Sequence, residues 1–168
     1  AAAVIAAVRA AGGEVLKLIG DGVLAIFRAD DAPHACRSAL RAEADMRSRV
    51  EQVNVLRAAG NHPVTSVYLG LHIGEVFYGN IGSDDRLDFT VVGPAVNEAS
   101  RIAAMCRTVD RSVVMSSEFA AATPAAERSN LVSVGRFALR GVGRAQQLFT
   151  IDPQLLVGHP PSSAPGVS

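Results

Sequence analysis

The stretch Gly93-Pro-Ala-Val-Asn-Glu-Ala-Ser-Arg101 decides the reading of this chain. Phe89-Thr-Val-Val92 before it is short, aromatic and β-branched, which predicts a buried strand. Gly93 breaks that strand. Pro94 suits a first helical position, where the proton it lacks needs no partner. Val96, Ala99, Ala103 and Cys106 then recur at helical spacing and predict one buried face. Asn97 and Arg101 are four apart, so they stand one turn above each other on a neighbouring face. A guanidinium fork beside an amide suits a phosphate next to a sugar. Taken alone, such a pair is more commonly part of a solvated helix face.

A second, independent stretch upstream shifts that balance. Gly13-Glu-Val-Leu-Lys-Leu-Ile-Gly-Asp-Gly-Val-Leu-Ala-Ile-Phe27 has two apolar runs flanking Gly20-Asp21-Gly22, a hairpin signature. Asp21 sits where backbone can approach closely and a hard cation is well served by a carboxylate. An aspartate in a hairpin is nonetheless more often a turn former than a ligand. Lys17 lies inside an apolar strand just before the turn, where a lysine needs an anionic or hydrogen-bonding partner.

Five blocks in order complete the pattern: Lys17-Leu-Ile-Gly-Asp21-Gly; His72-Ile-Gly-Glu-Val76; Gly79-Asn-Ile-Gly82; Phe89-Thr-Val-Val-Gly93 with Val96-Asn97-Glu-Ala-Ser-Arg101; and Phe137-Ala-Leu-Arg-Gly141. Together they resemble the catalytic domain of the class III adenylate and guanylate cyclases, most of all the bacterial adenylate cyclases. The resemblance covers about residues 1 to 150. It implies an α/β (α+β) protein of ferredoxin-like cyclase fold, a mainly antiparallel sheet backed by helices, with residues 1–152 as the catalytic domain and 153–168 as a flexible tail. It also implies an N-terminal truncation. The family's first strand, central in its sheet, and its Asp-x-x-Gly-Phe-Thr-like motif with the first of two metal-binding aspartates belong before the alanine-rich start and are absent from this sequence.

Composition agrees with one soluble unit. The 168 residues suit a single domain, 49% are hydrophobic and only 5% aromatic, so the core is expected to be Ala, Val, Leu and Ile. Formal net charge is zero, which gives no argument for nucleic acid or a membrane surface. Cys36 and Cys106 fall on apolar helical faces and read as reduced buried thiols, with no metal spacing. No signal peptide or spanning apolar run is present, so the segment is expected to be cytoplasmic, with anchoring of a parent protein left open. The chain begins with Ala, which suggests a segment of a longer parent.

In chain order the pattern predicts an alanine-rich helix over 1–11 ended by Gly12-Gly13, the hairpin, and a helix from Asp31 to about Leu56. That helix should bury Cys36, Ala39, Leu40, Met46, Val50 and Val53 and keep its Arg and Glu residues wet. Val67, Leu69, Leu71 and Ile73 alternate as a half-buried strand, with Glu75–Tyr78 as its hairpin partner. Gly79-Asn-Ile-Gly82 reads as a turn and Ser83–Arg86 as a polar turn. A strand at Ser112–Ser116, a small helix at Ser117–Ala122, and strands at Val132–Val134 and Leu148–Ile151 follow. From Pro153 the Pro, Ser and Gly content predicts mobility. His34, His62 and His72 lack a neighbouring nucleophile in the pattern and read as structural or exposed.

The resemblance assigns roles residue by residue. Asp21 matches the second metal aspartate, for two divalent cations, magnesium or manganese. Lys17 and Thr90 match the pair that reads adenine; many relatives have Asp at the latter position, and a threonine hydroxyl can also accept the amino proton. Asn97 matches the ribose-orienting residue and Arg101 the one that stabilises the α-phosphate in the transition state. Arg140 stands where a lysine usually binds the terminal phosphates. The implied reaction is attack of the ribose 3′-hydroxyl of ATP on its α-phosphorus, yielding cyclic AMP and pyrophosphate for intracellular signalling. The implied active form is a homodimer with sites shared across the interface, Asp21 from one subunit facing the other residues from its partner. Lacking the first aspartate, the segment by itself is expected to be inactive or weak. The competing readings are a catalytically inactive cyclase-like nucleotide-binding or regulatory module and, last, a diguanylate cyclase, whose Gly-Gly-Asp/Glu-Glu-Phe turn is missing.

Overall fold

The computed structural model describes residues 2–19, 22–28, 31–81, 88–139 and 144–156; for 17–19, 77–81, 88–92 and 156 it describes the backbone alone. An alanine-rich helix α1 (Ala2–Ala10) leads into the antiparallel hairpin β1 (Glu14–Ile19) and β2 (Gly22–Ile26). Gly12, at φ 88°, takes the left-handed turn that ends α1. Gly13 is needed for closeness, since a Cβ there would lie 2.7 Å from the Phe27 ring. The long helix α2 (Ala32–Ala59) follows, with Pro33 in its first turn.

The main sheet has the order β3-β6-β8-β7, from β3 (Leu69–Leu71), β6 (Val113–Ser116), β7 (Leu131–Ala138) and β8 (Ala145–Ile151). β3 and β6 are parallel and the other pairs antiparallel. The parallel pair needs a crossover, and the helix α3 (Pro94–Val109) supplies it, packing on both strands. The hairpin β4 (Phe77–Ile81) and β5 (Asp88–Val92) lies between β3 and α3 in the chain. Short helices α4 (Ser117–Ala122), α5 (Ala125–Arg128) and α6 (Pro153–Leu156) complete the described residues.

Two apolar clusters hold α2 and α3 to the sheet. Cys36 and Ala39 of α2 meet Leu71, Val113, Met115 and Phe119. Ile102 and Cys106 of α3 meet Val114, Leu139 and Leu148. Burying a side chain such as Ile102, with no exposed surface, contributes roughly 1.5–3 kcal/mol. Among the described residues the buried threonine hydroxyls are paired with backbone: Thr150 donates to the Val113 carbonyl at 2.6 Å and Thr123 to that of Phe119 at 2.8 Å.

A cleft of about 810 Å³ separates β2 from β3. α2 and α3 line it through Cys36, Ala39, Val96, Ala99 and Ala103. Among the described residues β2 pairs only with β1, and β3 only with β6, so both strands turn an unpaired edge to the cleft.

Several expectations are corrected. The strand predicted over Val67–Ile73 shrinks to Leu69–Leu71, the length over which β6 lies alongside. Its predicted hairpin partner does not pair with it: β4 pairs with β5, Phe77 opposite Val92 and Gly79 opposite Thr90. Gly79-Asn-Ile81 is therefore strand rather than turn. Val53 is 38% exposed, because α2 runs past the sheet before it ends. Glu43 is buried, not wet; both its oxygens accept from Arg47 at 3.1 Å, which supplies a buried carboxylate with its charge partner. Val96, Ala99 and Ala103 are half-buried, and Ile102 joins Cys106 as the deeply buried part of α3. α5 and α6 have no counterpart among the expected elements, α6 being a helical turn where the mobile tail is expected to begin, and β7 and β8 are longer than foreseen. The turns at Gly20–Asp21 and Ser83–Arg86 and the tail beyond Leu156 lie outside the described residues.

Candidate active site

The start of α3 is built by Gly93 and Pro94. Gly93 has φ 140°, a backbone region that favours glycine, and this lets the strand β5 turn directly into the helix. Pro94 fills the first turn, and the Val96 N–H donates to the Gly93 carbonyl at 3.1 Å. The helix is pressed onto β3 at Gly70. A Cβ at that position would lie 2.5 Å from the Ala103 nitrogen and 2.7 Å from the Ala99 carbonyl oxygen.

Asn97 and Arg101 stand on consecutive turns of this helix, the first exposed and the second partly buried. Neither makes a hydrogen bond or ion pair with another described residue. Glu98, between them, is tied on both oxygens. Oε2 lies 3.1 Å from His72 Nε2, and Oε1 accepts from Gln146 Nε2 at 2.8 Å. His72 Nδ1 lies 2.8 Å from the Ser116 hydroxyl, which also accepts the Phe119 N–H at 3.1 Å and so caps α4. The first half of α3 thus carries a fixed carboxylate and, near it, an amide and a guanidinium that bond to no other described residue.

The other expected site residues are placed unevenly. Lys17 lies in β1 opposite Leu24 of β2, and Thr90 lies in β5. β1 and β5 belong to different hairpins and approach each other at a few residues, which brings the strands carrying Lys17 and Thr90 near one another. Asp21 and Arg140 lie outside the described residues. Among the described residues no group of three or more His, Cys, Asp or Glu side chains could hold a metal ion. The described side chains therefore do not by themselves make a metal centre.

The histidines divide. His34 and His62 are exposed, whereas the His72 side chain is only 5% exposed, within a polar network that local sequence does not announce. Its partners lie far away: 44 residues separate His72 from Ser116, and 48 separate Glu98 from Gln146. Cys36 and Cys106 are free, buried thiols, as expected. Burial pushes Cys36 up to about 11, against a smaller lowering by a hydrogen bond with Thr123. Burial also raises Cys106, opposed by backbone hydrogen bonds including that with Leu69. Neither thiol is a nucleophile at neutral pH.

The family model of the adenylate and guanylate cyclase catalytic domain matches residues 6–152. This chain belongs to that family. It is 34% identical over 109 residues to adenylate cyclase 1 of Rhizobium meliloti, covering 62% of this chain and 16% of that protein. It is 40% identical over 100 residues to an adenylate cyclase of Anabaena cylindrica, covering 57% of this chain and 19% of that protein. The chain thus spans less than a fifth of the length of these curated relatives. Among solved structures, a bacterial light-regulated adenylyl cyclase matches with a TM-score of 0.72 at 27% identity, over 90% of this chain and 42% of that one. The α+β architecture of the cyclase domain agrees with the expected fold class. No helix among the described residues is long and apolar enough to cross a membrane.

Proposed function

We propose that this cyclase domain acts on ATP, forming cyclic AMP and pyrophosphate. The observation that carries the reading is the pair Asn97 and Arg101, on successive turns of α3 and bonded to no other described residue, while Glu98 beside Asn97 is tied down. Asn97 would orient the ribose. Arg101 would meet the α-phosphate, where a fixed positive charge favours developing negative charge. Lys17 and Thr90, on neighbouring strands, would read the base, and Arg140 would hold the terminal phosphates. Divalent cations, magnesium or manganese, would lower the cost of charge on the phosphates and the attacking hydroxyl. Asp21 would contribute one carboxylate to them.

The cleft between β2 and β3 supports a further part of this reading. A strand inserted there would pair with both open edges. A strand of the family's Asp-x-x-Gly-Phe-Thr type would add the second metal carboxylate to the same sheet. Two such chains would then form a homodimer, each site taking Asp21 from one subunit and Asn97 and Arg101 from the other. Without that second metal carboxylate, residues 1–168 on their own would be the alternative, a nucleotide-binding module without turnover.

The test is cyclic AMP formation from ATP with manganese, by residues 1–168 and by the same chain extended with a first strand of that type. The expected result is turnover by the extended chain and none, or a trace, by the short one. Robust turnover by the short chain would show the first aspartate to be dispensable. Silence of the extended chain, with ATP still bound, would leave the module without turnover as the better account.

A further inference from the structure

We propose that His72 is a positioning residue for the substrate face of α3, acting as an Nε2–H imidazole clamped between Glu98 and Ser116. This rests on the reading of Asn97 and Arg101 as substrate contacts, and it assigns a task to three residues that the reading leaves unused.

The hydrogen-bond roles follow from the partners. An ionised Glu98 carboxylate can only accept, so the His72 nitrogen 3.1 Å from it must carry the proton. The other nitrogen of the neutral ring then accepts, and the Ser116 hydroxyl donates to it across 2.8 Å. Ser116 keeps a lone pair for the Phe119 N–H. Every group in the chain from Phe119 to Glu98 is satisfied in this one arrangement. Gln146 donates to the remaining carboxylate oxygen, and its own Oε1 is buried without a partner. The arrangement is not a nucleophilic triad, because Ser116 is fully buried and already caps a helix.

The clamp acts on rotation. Successive helical residues are about 100° apart, so Asn97 lies about 100° and Arg101 about 60° to the same side of Glu98, some 40° from each other. A Glu98 held by β8 through Gln146 and by the end of β3 through His72 therefore fixes the direction of both substrate-facing side chains. Gly70 sets how close the helix lies to the sheet, but a flat contact of backbone on backbone does not set its rotation. A turn of about 20° would move a side-chain tip at a radius of about 5–6 Å by about 2 Å. Misplacement by about 1 Å can cost about a hundredfold in rate.

The experiment compares His72→Phe, which removes donor and acceptor, with His72→Gln, which can still donate to Glu98. In the extended, cyclase-active chain, His72→Phe should lower kcat at least about tenfold, leave KM within about threefold, and be largely restored in His72→Gln. Independently of turnover, nitrogen-15 spectra of residues 1–168 should show His72 in the Nε2–H form. The Asn97 side-chain amide signal should move in His72→Phe and return in His72→Gln. An Nδ1–H ring, an unmoved Asn97 signal or wild-type kcat in His72→Phe would overturn the proposal. Should His72→Phe not fold, Glu98→Ala carries the test, with the same loss of kcat expected and retained kcat overturning it. If the extended wild type makes no cyclic AMP, the cyclase assignment fails alone, and the spectra still decide the clamp.

Discussion

Gly70 of β3 and Ala103 of α3 meet with no room for a methyl group between them: a Cβ on Gly70 would sit 2.5 Å from the Ala103 nitrogen. The obstruction is helix backbone, which no side-chain rotation relieves. The helix that carries Asn97 and Arg101 is therefore seated on the sheet through a glycine at its middle and through Glu98 near its start.

Gly70→Ala should force α3 outward or bend β3. Overpacking of this kind costs typically about 1–3 kcal/mol. Chemical denaturation should show a lower midpoint with an unchanged slope. A midpoint equal to the wild type would mean that α3 is loosely seated.

Cys36 predicts a loss of stability in alkali. Its folded pKa of about 11 lies above the 9.0 of an exposed thiol. Below pH 9 both states hold the proton, and the contribution is whole. Between pH 9 and 11 the unfolded chain gives up its proton and the folded chain keeps it, so stability falls as pH rises. Two units correspond to about 2–3 kcal/mol. The denaturation midpoint should fall less between pH 8 and pH 10.5 for Cys36→Ala than for the wild type. An identical fall in both would shift the cause to other groups.

Arg101→Ala in the extended, cyclase-active chain should reduce kcat far more than it raises KM. An interaction that strengthens as charge develops is felt in the transition state. Losing one such donor typically costs about 3 kcal/mol, or roughly a hundredfold. Steady-state kinetics would check it, and a change confined to KM would make Arg101 a ground-state binder.

Base choice tests Lys17 and Thr90. Lysine only donates, whereas threonine donates or accepts. Adenine offers an acceptor at N1 and a donor at its amino group, and guanine reverses that edge. A mismatch typically costs about 1–3 kcal/mol per unpaired group. The extended chain should prefer ATP over GTP at least about tenfold in kcat/KM, about 1.4 kcal/mol. Lys17→Glu with Thr90→Cys should erode the preference. Equal use of both nucleotides by the wild type would take these residues out of base reading.

The sequence by itself determined what is local. Pro94 after Gly93 starts α3, two short apolar runs pair as β1 and β2, and a strand gives way to a short helix after Ser116, because each depends on dihedral preferences and periodicity within a few residues. The ordered motifs were enough to reach the family. Which strands pair was decided only in three dimensions. Glu75–Tyr78 reads as the partner of the strand before it, but the strand that forms is Phe77–Ile81, and it pairs with Asp88–Val92 after it. The burial of Glu43 and the link from Ser116 through His72 to Glu98 and Gln146 were likewise invisible in the order of residues. A buried charge is tolerated only beside its partner. In the network around Glu98 those partners come from segments tens of residues apart, and it is their packing together that turns an ordinary glutamate into a fixed point beside Asn97 and Arg101.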